Sequence, residues 1–138
     1  MMENHVREER TGWRDEQISR RHRRWGYDCP AIDIDFLLME YDRAKPSALV
    51  EYKHEKAQEL QISHPSVKAL VNLANDADIP AVLCRYADDF SWWYPSPLNE
   101  KARQYIGEPK RLSESEWVAM LYHMRGRPLP KELEDQLV

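Results

Sequence analysis

Two short apolar segments on either side of a polar turn constrain the fold of this chain more than any other feature. Residues 31–41 begin with isoleucine and phenylalanine alternating with two aspartates, and residues 48–53 read Ala-Leu-Val-Glu-Tyr-Lys. Alternation with a period of two is typical of a strand. The connecting residues 42–46 are polar and end in proline. So short a connection favours an antiparallel hairpin.

The charged side chains of this predicted hairpin fall on one face. Because side chains alternate along a strand, Asp33 and Asp35 share a face, and Glu51 and Lys53 share a face. A turn centred on Ala44 would set Asp35 opposite Lys53, about 5 Å away, with Glu51 on a diagonal of about 7–8 Å. A slip of one residue would exchange the two faces. The opposite face carries apolar side chains that we expect to pack on the core: Ile34, Phe36, Val50 and Tyr52.

The remaining periodicities predict helices and strands around the hairpin. Ser113 and Glu116 have the spacing of a capping box at the start of a late helix. The order helix–strand–strand–helix–strand–strand–helix indicates an α/β fold in one domain. In chain order we predict a helix over 13–25, the two hairpin strands, a helix from 65 to about 75, strands over 81–86 and 90–94, closed by Pro95 and Pro97, and a helix over 113–124.

Length and composition are those of one soluble domain. The 138 residues leave room for a single core, expected over residues 13–125, between a flexible N-terminus (1–12) and a proline-containing C-terminal extension (126–138). No apolar run approaches the ~20 residues that span a bilayer, and the charged N-terminus does not resemble a signal peptide. We therefore expect a cytoplasmic protein with no membrane partner. Cys29 and Cys84 fit no disulfide or zinc pattern and are predicted to be buried thiols.

Positive charge is concentrated in one block although the net charge is −4. Residues 20–24 read Arg-Arg-His-Arg-Arg. This block is either a solvated helix face or a patch that contacts nucleic-acid phosphates. The candidate nucleic-acid-binding residues are Arg20, Arg21, Arg23, Arg24 and, at the rim of the hairpin, His54. Residues 92–94, Trp-Trp-Tyr, either belong to the core or stack on bases.

Three charged groups on apolar strands need compensation. If they lie on a solvated sheet face, a cross-strand salt bridge accounts for Asp35, Glu51 and Lys53. If they are partly buried, a divalent cation is the natural compensation, and carboxylate oxygens suit Mg²⁺ or Mn²⁺. A lysine beside the cation can orient water and balance the charge that develops on a phosphate. Phosphodiester hydrolysis requires this combination.

The same residues carry a resemblance to a known family. Asp35 followed by Glu51-Tyr52-Lys53, on a hairpin after a helix, resembles the PD-(D/E)XK nuclease superfamily. The resemblance implies a restriction-endonuclease-like core, with a mixed central sheet flanked by helices, in which Asp35 and Glu51 bind the metal and Lys53 serves the attacking water. It also makes Glu16 the candidate for an additional catalytic glutamate on the first helix. The chain departs from the family pattern before Asp35, where it has Ile34 instead of proline, and Asp33 is a competing metal ligand.

The function implied by this resemblance is that of a small stand-alone nuclease of the type encoded by phages and mobile elements. It would be a Mg²⁺-dependent (or Mn²⁺-dependent) hydrolase acting on DNA, with RNA left open. With little surface for reading sequence, it would cut nonspecifically or by substrate structure, and a homodimer would cut both strands. The alternative is a catalytically inactive nucleic-acid-binding or phage accessory module on the same fold. A second Glu-x-Lys, Glu108-Pro109-Lys110, lacks a preceding apolar strand.

Overall fold

The computed structural model describes residues 16–26, 28, 31–59 and 61–137. The chain divides after Asp33 into two compact units. The first contains α1 and the second contains all the other elements. The helices are α1 (Glu16–Arg24), α2 (Pro65–Ala77), α3 (Glu100–Arg103), α4 (Glu114–Met124) and α5 (Lys131–Glu134), and the strands are β1 (Phe36–Glu40), β2 (Lys45–His54), β3 (Ala81–Tyr86) and β4 (Trp93–Pro97).

The four strands form one mixed sheet in the order β1-β2-β3-β4. β1 and β4 run antiparallel to their neighbours, and β2 runs parallel to β3. A parallel pair needs a crossover, which α2 supplies, and the carboxyl ends of β2 and β3 therefore lie at the same edge. The predicted mixed α/β sheet with flanking helices is thus observed. The short helices α3 and α5 were not predicted, and the restriction-endonuclease-like core stays a prediction.

Both faces of β2 are covered in the middle of the strand. On one face Val50 belongs to a cluster with Val82 and Trp117. On the other face Leu49 packs with Ala74 of α2. Burial on both faces is typical of a strand in a parallel pair. Beyond Val50 the side chains are only half-buried as far as the end of the strand, so the cover ends where the charged residues begin.

The predicted hairpin is confirmed, but its predicted register is wrong. Phe36 pairs with Val50, which brings Asp35, one residue earlier, opposite Glu51 and not opposite Lys53. Moving the centre of a hairpin by one residue moves each partner by two. The charged residues therefore keep their common face, and only their pairing changes.

The cause of this register lies close to the turn. The pairing shifts between Leu38 and Met39, where β1 and β2 form an irregularity of the β-bulge type. Ala44 has a φ of 50°, in the left-handed region that few non-glycine residues adopt. No residue pattern in 42–46 predicts either the register shift or the left-handed conformation of Ala44.

The expected core face of the hairpin is only partly confirmed. Val50 is buried, and Tyr52 packs against the same cluster. Ile34 is 42% exposed and Phe36 is 47% exposed. These two precede or begin β1, which is an edge strand with a single neighbour, so less of the core covers them.

The boundaries of the last strand were predicted wrongly. Instead of residues 90–94, β4 covers Trp93–Pro97, and both prolines predicted to close the strand lie within it. β4 is an edge strand whose strand partner is β3, with a further bridge from Trp93 to Leu112, so a missing proline N–H can be tolerated. The predicted capping box of α4 is confirmed, since Ser113 Oγ accepts from Glu116 N at 3.2 Å and Glu116 Oε1 accepts from Ser113 N at 2.9 Å.

One cysteine prediction is confirmed. Cys84 is a fully buried free thiol in β3, and burial raises its pKa to about 12. Cys29 lies outside the described residues. In the described part of the chain, no helix has the length and apolar composition needed to cross a membrane.

A buried amide joins α2, β3 and α3 at the end of the sheet where β3 begins. Asn99 is 4% exposed, and its Oδ1 accepts from Ala81 N at 3.0 Å and from Ala102 N at 2.9 Å. Its Nδ2 donates to Ile79 O at 2.9 Å and to Asn75 Oδ1 at 3.0 Å. The side chain thus caps α3 while holding the end of α2 against the start of β3, and its donors and acceptors are all used.

We predict that Asn99→Ala lowers the free energy of unfolding by about 2–4 kcal/mol, because it leaves buried backbone N–H groups without an acceptor and removes the cap of α3. Urea denaturation followed by circular dichroism measures this loss. Asn72→Ala, at an exposed position of α2, is the matched control and should change stability little. Equal stabilities for the two variants would contradict the role given to Asn99.

Candidate functional site

Two carboxylates meet where β2 leaves the core. Asp35 N donates to Glu51 Oε1 at 3.3 Å, and Tyr52 N donates to Asp35 Oδ2 at 3.1 Å. Asp35 is exposed and Glu51 is half-buried. Each carboxylate therefore accepts one backbone N–H and has a second oxygen that can ligate a cation. These bonds hold Asp35 beside Glu51 although Asp35 itself precedes the first residue of β1.

The proximity of the carboxylates changes the titration of Glu51. Burial raises the pKa of Glu51, and the charge of Asp35 raises it further, against the opposing effects of the Asp35 N–H and the Lys53 ammonium. Crowding two like charges makes ionisation of the site less favourable, and a bound cation would relieve it.

Lys53 completes the group predicted from the sequence. It lies two residues after Glu51 on β2, on the same face, and its side chain is half-buried. Its ammonium lowers the pKa of Glu51, although burial and the charge of Asp35 outweigh this effect and the pKa is raised overall. The structure therefore brings together Asp35, Glu51 and Lys53 at the carboxyl end of β2, at the edge that β2 shares with the carboxyl end of β3.

Arg85 is a neighbour of this group that sequence reasoning missed. In the parallel register Arg85 of β3 pairs with Lys53 of β2. Its Nη1 donates to His54 O at 3.0 Å and to Ala57 O at 2.9 Å, and thereby fixes the loop that follows β2. The position of Arg85 depends on the pairing of two strands about thirty residues apart, which no local pattern encodes.

Tyr52 anchors the motif from the opposite face of the sheet. Its hydroxyl accepts from Trp117 Nε1 at 3.2 Å, and its ring makes edge contacts with Phe36, Tyr86 and Trp93 at centroid distances of 5.3 to 6.2 Å. Burial raises the pKa of Tyr52 to about 12, so the hydroxyl is neutral at physiological pH. Because neighbouring side chains alternate, fixing Tyr52 in the core fixes the direction of the charged side chains on either side of it.

His54 is engaged within the chain. Its Nδ1 accepts from Lys56 N at 3.1 Å, which leaves the proton on Nε2, and Nε2 donates to Asp88 Oδ1 at 2.8 Å. The ring also contacts Tyr86 at 5.7 Å. These contacts give His54 a structural role in the loop after β2, and its contact with nucleic acid stays a prediction.

The aromatic residues that follow β3 serve mainly in packing. Trp93 packs against the core, and the Arg111 guanidinium lies 4.3 Å above the ring of Trp92. Tyr94 is 37% exposed. Phe90 is more exposed, at 54%, and stacks on Tyr86 and Trp93 at 5.7 Å.

The remaining predicted site residues belong to the first unit. Glu16 begins α1, and its side chain lies outside what the structure describes. Asp33 ends that unit. The basic residues Arg20, Arg21, Arg23 and Arg24 lie on α1 and are exposed to solvent. Their predicted roles in metal and nucleic-acid binding stay predictions.

The chemistry of the donor set fits one kind of metal. Among the described residues, no group of three His, Cys, Asp or Glu side chains could hold a metal ion. Zinc sites usually have three or four such side chains. Mg²⁺ usually binds through one or two carboxylates and keeps several waters, so the Asp35–Glu51 pair fits Mg²⁺ or Mn²⁺.

Comparisons with known proteins found no match. No protein-family model matches the chain, and neither does a curated protein or a solved structure. The case for a function therefore depends on the residues of the site.

We predict that Tyr52→Phe lowers the free energy of unfolding by about 1–2 kcal/mol, because the indole N–H of Trp117, which is 1% exposed, loses its acceptor. Tyr41→Phe is the matched control, since Tyr41 is 85% exposed. Urea denaturation measures both. A Tyr52→Phe variant as stable as the Tyr41→Phe variant would mean that the hydroxyl contributes nothing to holding the motif.

Proposed function

We propose that this chain is a metal-dependent nuclease that hydrolyses phosphodiester bonds in DNA, with Asp35, Glu51 and Lys53 as its catalytic centre. The observation that carries the proposal is the meeting of two carboxylates and a lysine where the burial of β2 ends. Three charged groups are placed there by anchored strands, and they are accessible from solvent. The assignment is the one that the resemblance to PD-(D/E)XK nucleases implies, and a restriction-endonuclease-like core belongs to the same proposal.

The roles follow from the chemistry of each side chain. Asp35 and Glu51 would hold a divalent cation through carboxylate oxygens, while their backbone hydrogen bonds keep the two groups in place. Lys53, with three N–H donors, would orient the attacking water and stabilise negative charge on the phosphate. When bound, Mg²⁺ supplies Lewis acidity and lowers the pKa of a coordinated water.

The surroundings of Lys53 suit a phosphodiester substrate. Arg85, next to Lys53 in register, adds a second positive charge on the side where a phosphate would approach. The exposed arginines of α1 would contact the backbone of the DNA at other phosphates. Nonspecific or structure-selective cutting in the cytoplasm, and a homodimer with one site for each strand, belong to the same proposal.

The metal part of the proposal predicts stabilisation by divalent cations. Mg²⁺ or Mn²⁺ should raise the melting temperature in a saturable way that EDTA reverses, because a ligand of the folded state stabilises it. Glu51→Gln should abolish this shift. It should also raise the melting temperature of the metal-free protein. The pKa of Glu51 is raised in the folded state, so ionisation of this carboxyl at neutral pH destabilises the fold, and glutamine removes that cost.

The chain provides a matched control in its second Glu-x-Lys sequence. Glu108→Gln, at an exposed position, should keep the full metal-induced shift. Differential scanning fluorimetry measures the melting temperatures of the wild type, Glu51→Gln and Glu108→Gln, each with and without the metal. A shift that persists in Glu51→Gln would place the cation elsewhere.

The catalytic part predicts metal-dependent cleavage that requires Lys53. Supercoiled, linear, branched and single-stranded DNA should be tested with Mg²⁺, Mn²⁺ or EDTA. Lys53→Ala should lower the cleavage rate by about 10²-fold or more, as expected for loss of a group that stabilises transition-state charge. Lys110→Ala should leave the rate unchanged.

The other outcomes of the cleavage experiment are equally informative. Cleavage that survives Lys53→Ala would mean that the catalytic centre is elsewhere in the chain. DNA binding without cleavage of any substrate would favour the inactive nucleic-acid-binding module on the same fold.

A further inference from the structure

A second site lies at the opposite end of β2. A cleft of about 260 Å³ is lined by residues from the start of β2, the segment after α2, and the ends of α3 and α4. Ser47, at its wall, is six residues from Lys53 along the same strand. At 3.3 Å per residue the two lie roughly 20 Å apart. The cleft is therefore separate from the candidate catalytic centre.

The charges around this cleft are mostly positive, unlike the chain as a whole. Four basic residues line it, and only two carboxylates, those of Glu40 and Asp78, accompany them. The basic residues are Arg43, Lys45, Lys101 and Arg125. The lining thus carries an excess of two positive charges in a chain of net charge −4.

Both carboxylates of the cleft already have partners. Glu40 Oε2 lies 2.8 Å from Arg43 Nη2, and Asp78 Oδ2 lies 3.4 Å from Lys101 Nζ. No ion pair between described residues involves Lys45 or Arg125. The Arg125 guanidinium lies 5.5 Å above the ring of Tyr122. The positive charges that no carboxylate of the described residues balances are therefore those of Lys45 and Arg125.

Three buried polar atoms of the lining have no hydrogen-bond partner among the described residues. One of them, Glu40 Oε2, is ion-paired with Arg43, which leaves two with neither a hydrogen bond nor an ion pair in that part of the chain. Ser47 is 6% exposed, and neither its hydroxyl nor Nε of Arg125 has a hydrogen-bond partner there. Buried polar groups are almost always paired, so each exception calls for an explanation. The Arg125 N–H is a donor, and the Ser47 hydroxyl can be one. A ligand that satisfies both must offer acceptor oxygens.

We propose that this cleft binds a phosphate group. A tetrahedral oxyanion offers several strong acceptors and a negative charge, which the guanidinium of Arg125 and the ammonium of Lys45 can bind together. The volume is below the roughly 300–1000 Å³ of sites for drug-sized ligands, so it suits a phosphate with a small attached group. The phosphate belongs either to a small molecule or to a nucleic-acid backbone. The proposal does not depend on nuclease activity.

Titration calorimetry of the full chain tests the site, in EDTA and at constant ionic strength. The ligands are inorganic phosphate, adenosine monophosphate and a single-stranded oligonucleotide. Phosphate should bind saturably, and Lys45→Gln/Arg125→Gln should weaken it by about tenfold or more, because two charge-assisted hydrogen bonds are lost. Lys131→Gln, at an exposed position of α5, should leave the affinity unchanged.

Ser47→Ala separates a binding role from a structural one. Removing an unpaired buried hydroxyl should leave the melting temperature of the free protein unchanged or raise it, while the affinity for phosphate falls. If the double variant fails to fold, Lys101→Gln removes a different positive charge of the lining and should also weaken phosphate binding. No saturable binding at millimolar phosphate, or an affinity that depends on Lys53 and not on Lys45 and Arg125, overturns the proposal.

The three ligands distinguish the source of the phosphate. Equal affinities for phosphate and adenosine monophosphate, with no gain for the oligonucleotide, would indicate a small-molecule site. Tighter binding of the oligonucleotide that is lost in the double variant would indicate a contact with the nucleic-acid backbone. Either result supports a phosphate site at the start of β2.

Discussion

The pairing of β2 with neighbours on both sides is the constraint on which the rest of the structure depends. β1 pairs with residues 45–50 of the strand and β3 with residues 49–54, and apolar side chains cover both faces as far as Val50. From Glu51 onward the side chains are half-buried. A strand held this firmly keeps its last residues in fixed positions although they face solvent. The charged residues thus combine the rigidity of a core strand with access for a ligand, as a catalytic or binding group requires.

The cost of bringing two carboxylates together is met locally. Asp35 and Glu51 repel each other, and burial adds to the cost of ionising Glu51. Against this, each accepts a backbone N–H, and Lys53 supplies an opposite charge. Tyr52 fixes the same strand from its other face through Trp117. Like charges held in place in this way are electrostatically preorganised, because the protein would not have to rearrange to bind the cation and the phosphate that the proposed function requires.

The sequence predicted the local features of this arrangement and missed the non-local ones. Alternation identified the hairpin and the face shared by Glu51 and Lys53, and a continuous apolar run identified β3 with its observed limits. The pairing of Asp35 was missed because a bulge in β2, at Ser47, and a left-handed residue in the turn set the register. Arg85 was missed because its place beside Lys53 exists only once β2 and β3 have paired. The pattern within one segment shows which side chains share a face of a strand. Which residues pair across strands depends on how the whole sheet assembles.

The two ends of β2 differ in charge, and their separation decides whether they influence each other. At the carboxyl end two carboxylates lie near Lys53, with Arg85 beside Lys53 in register, whereas at the start of the strand basic residues outnumber acidic ones. At physiological ionic strength the Debye length is about 8 Å, so sites roughly 20 Å apart through solvent are largely screened from each other. The net charge of −4 therefore says little about which anions bind, because each end presents its own local field. For the same reason a phosphate group at one end does not require a cation at the other, and a substrate long enough to reach both would gain from each contact separately.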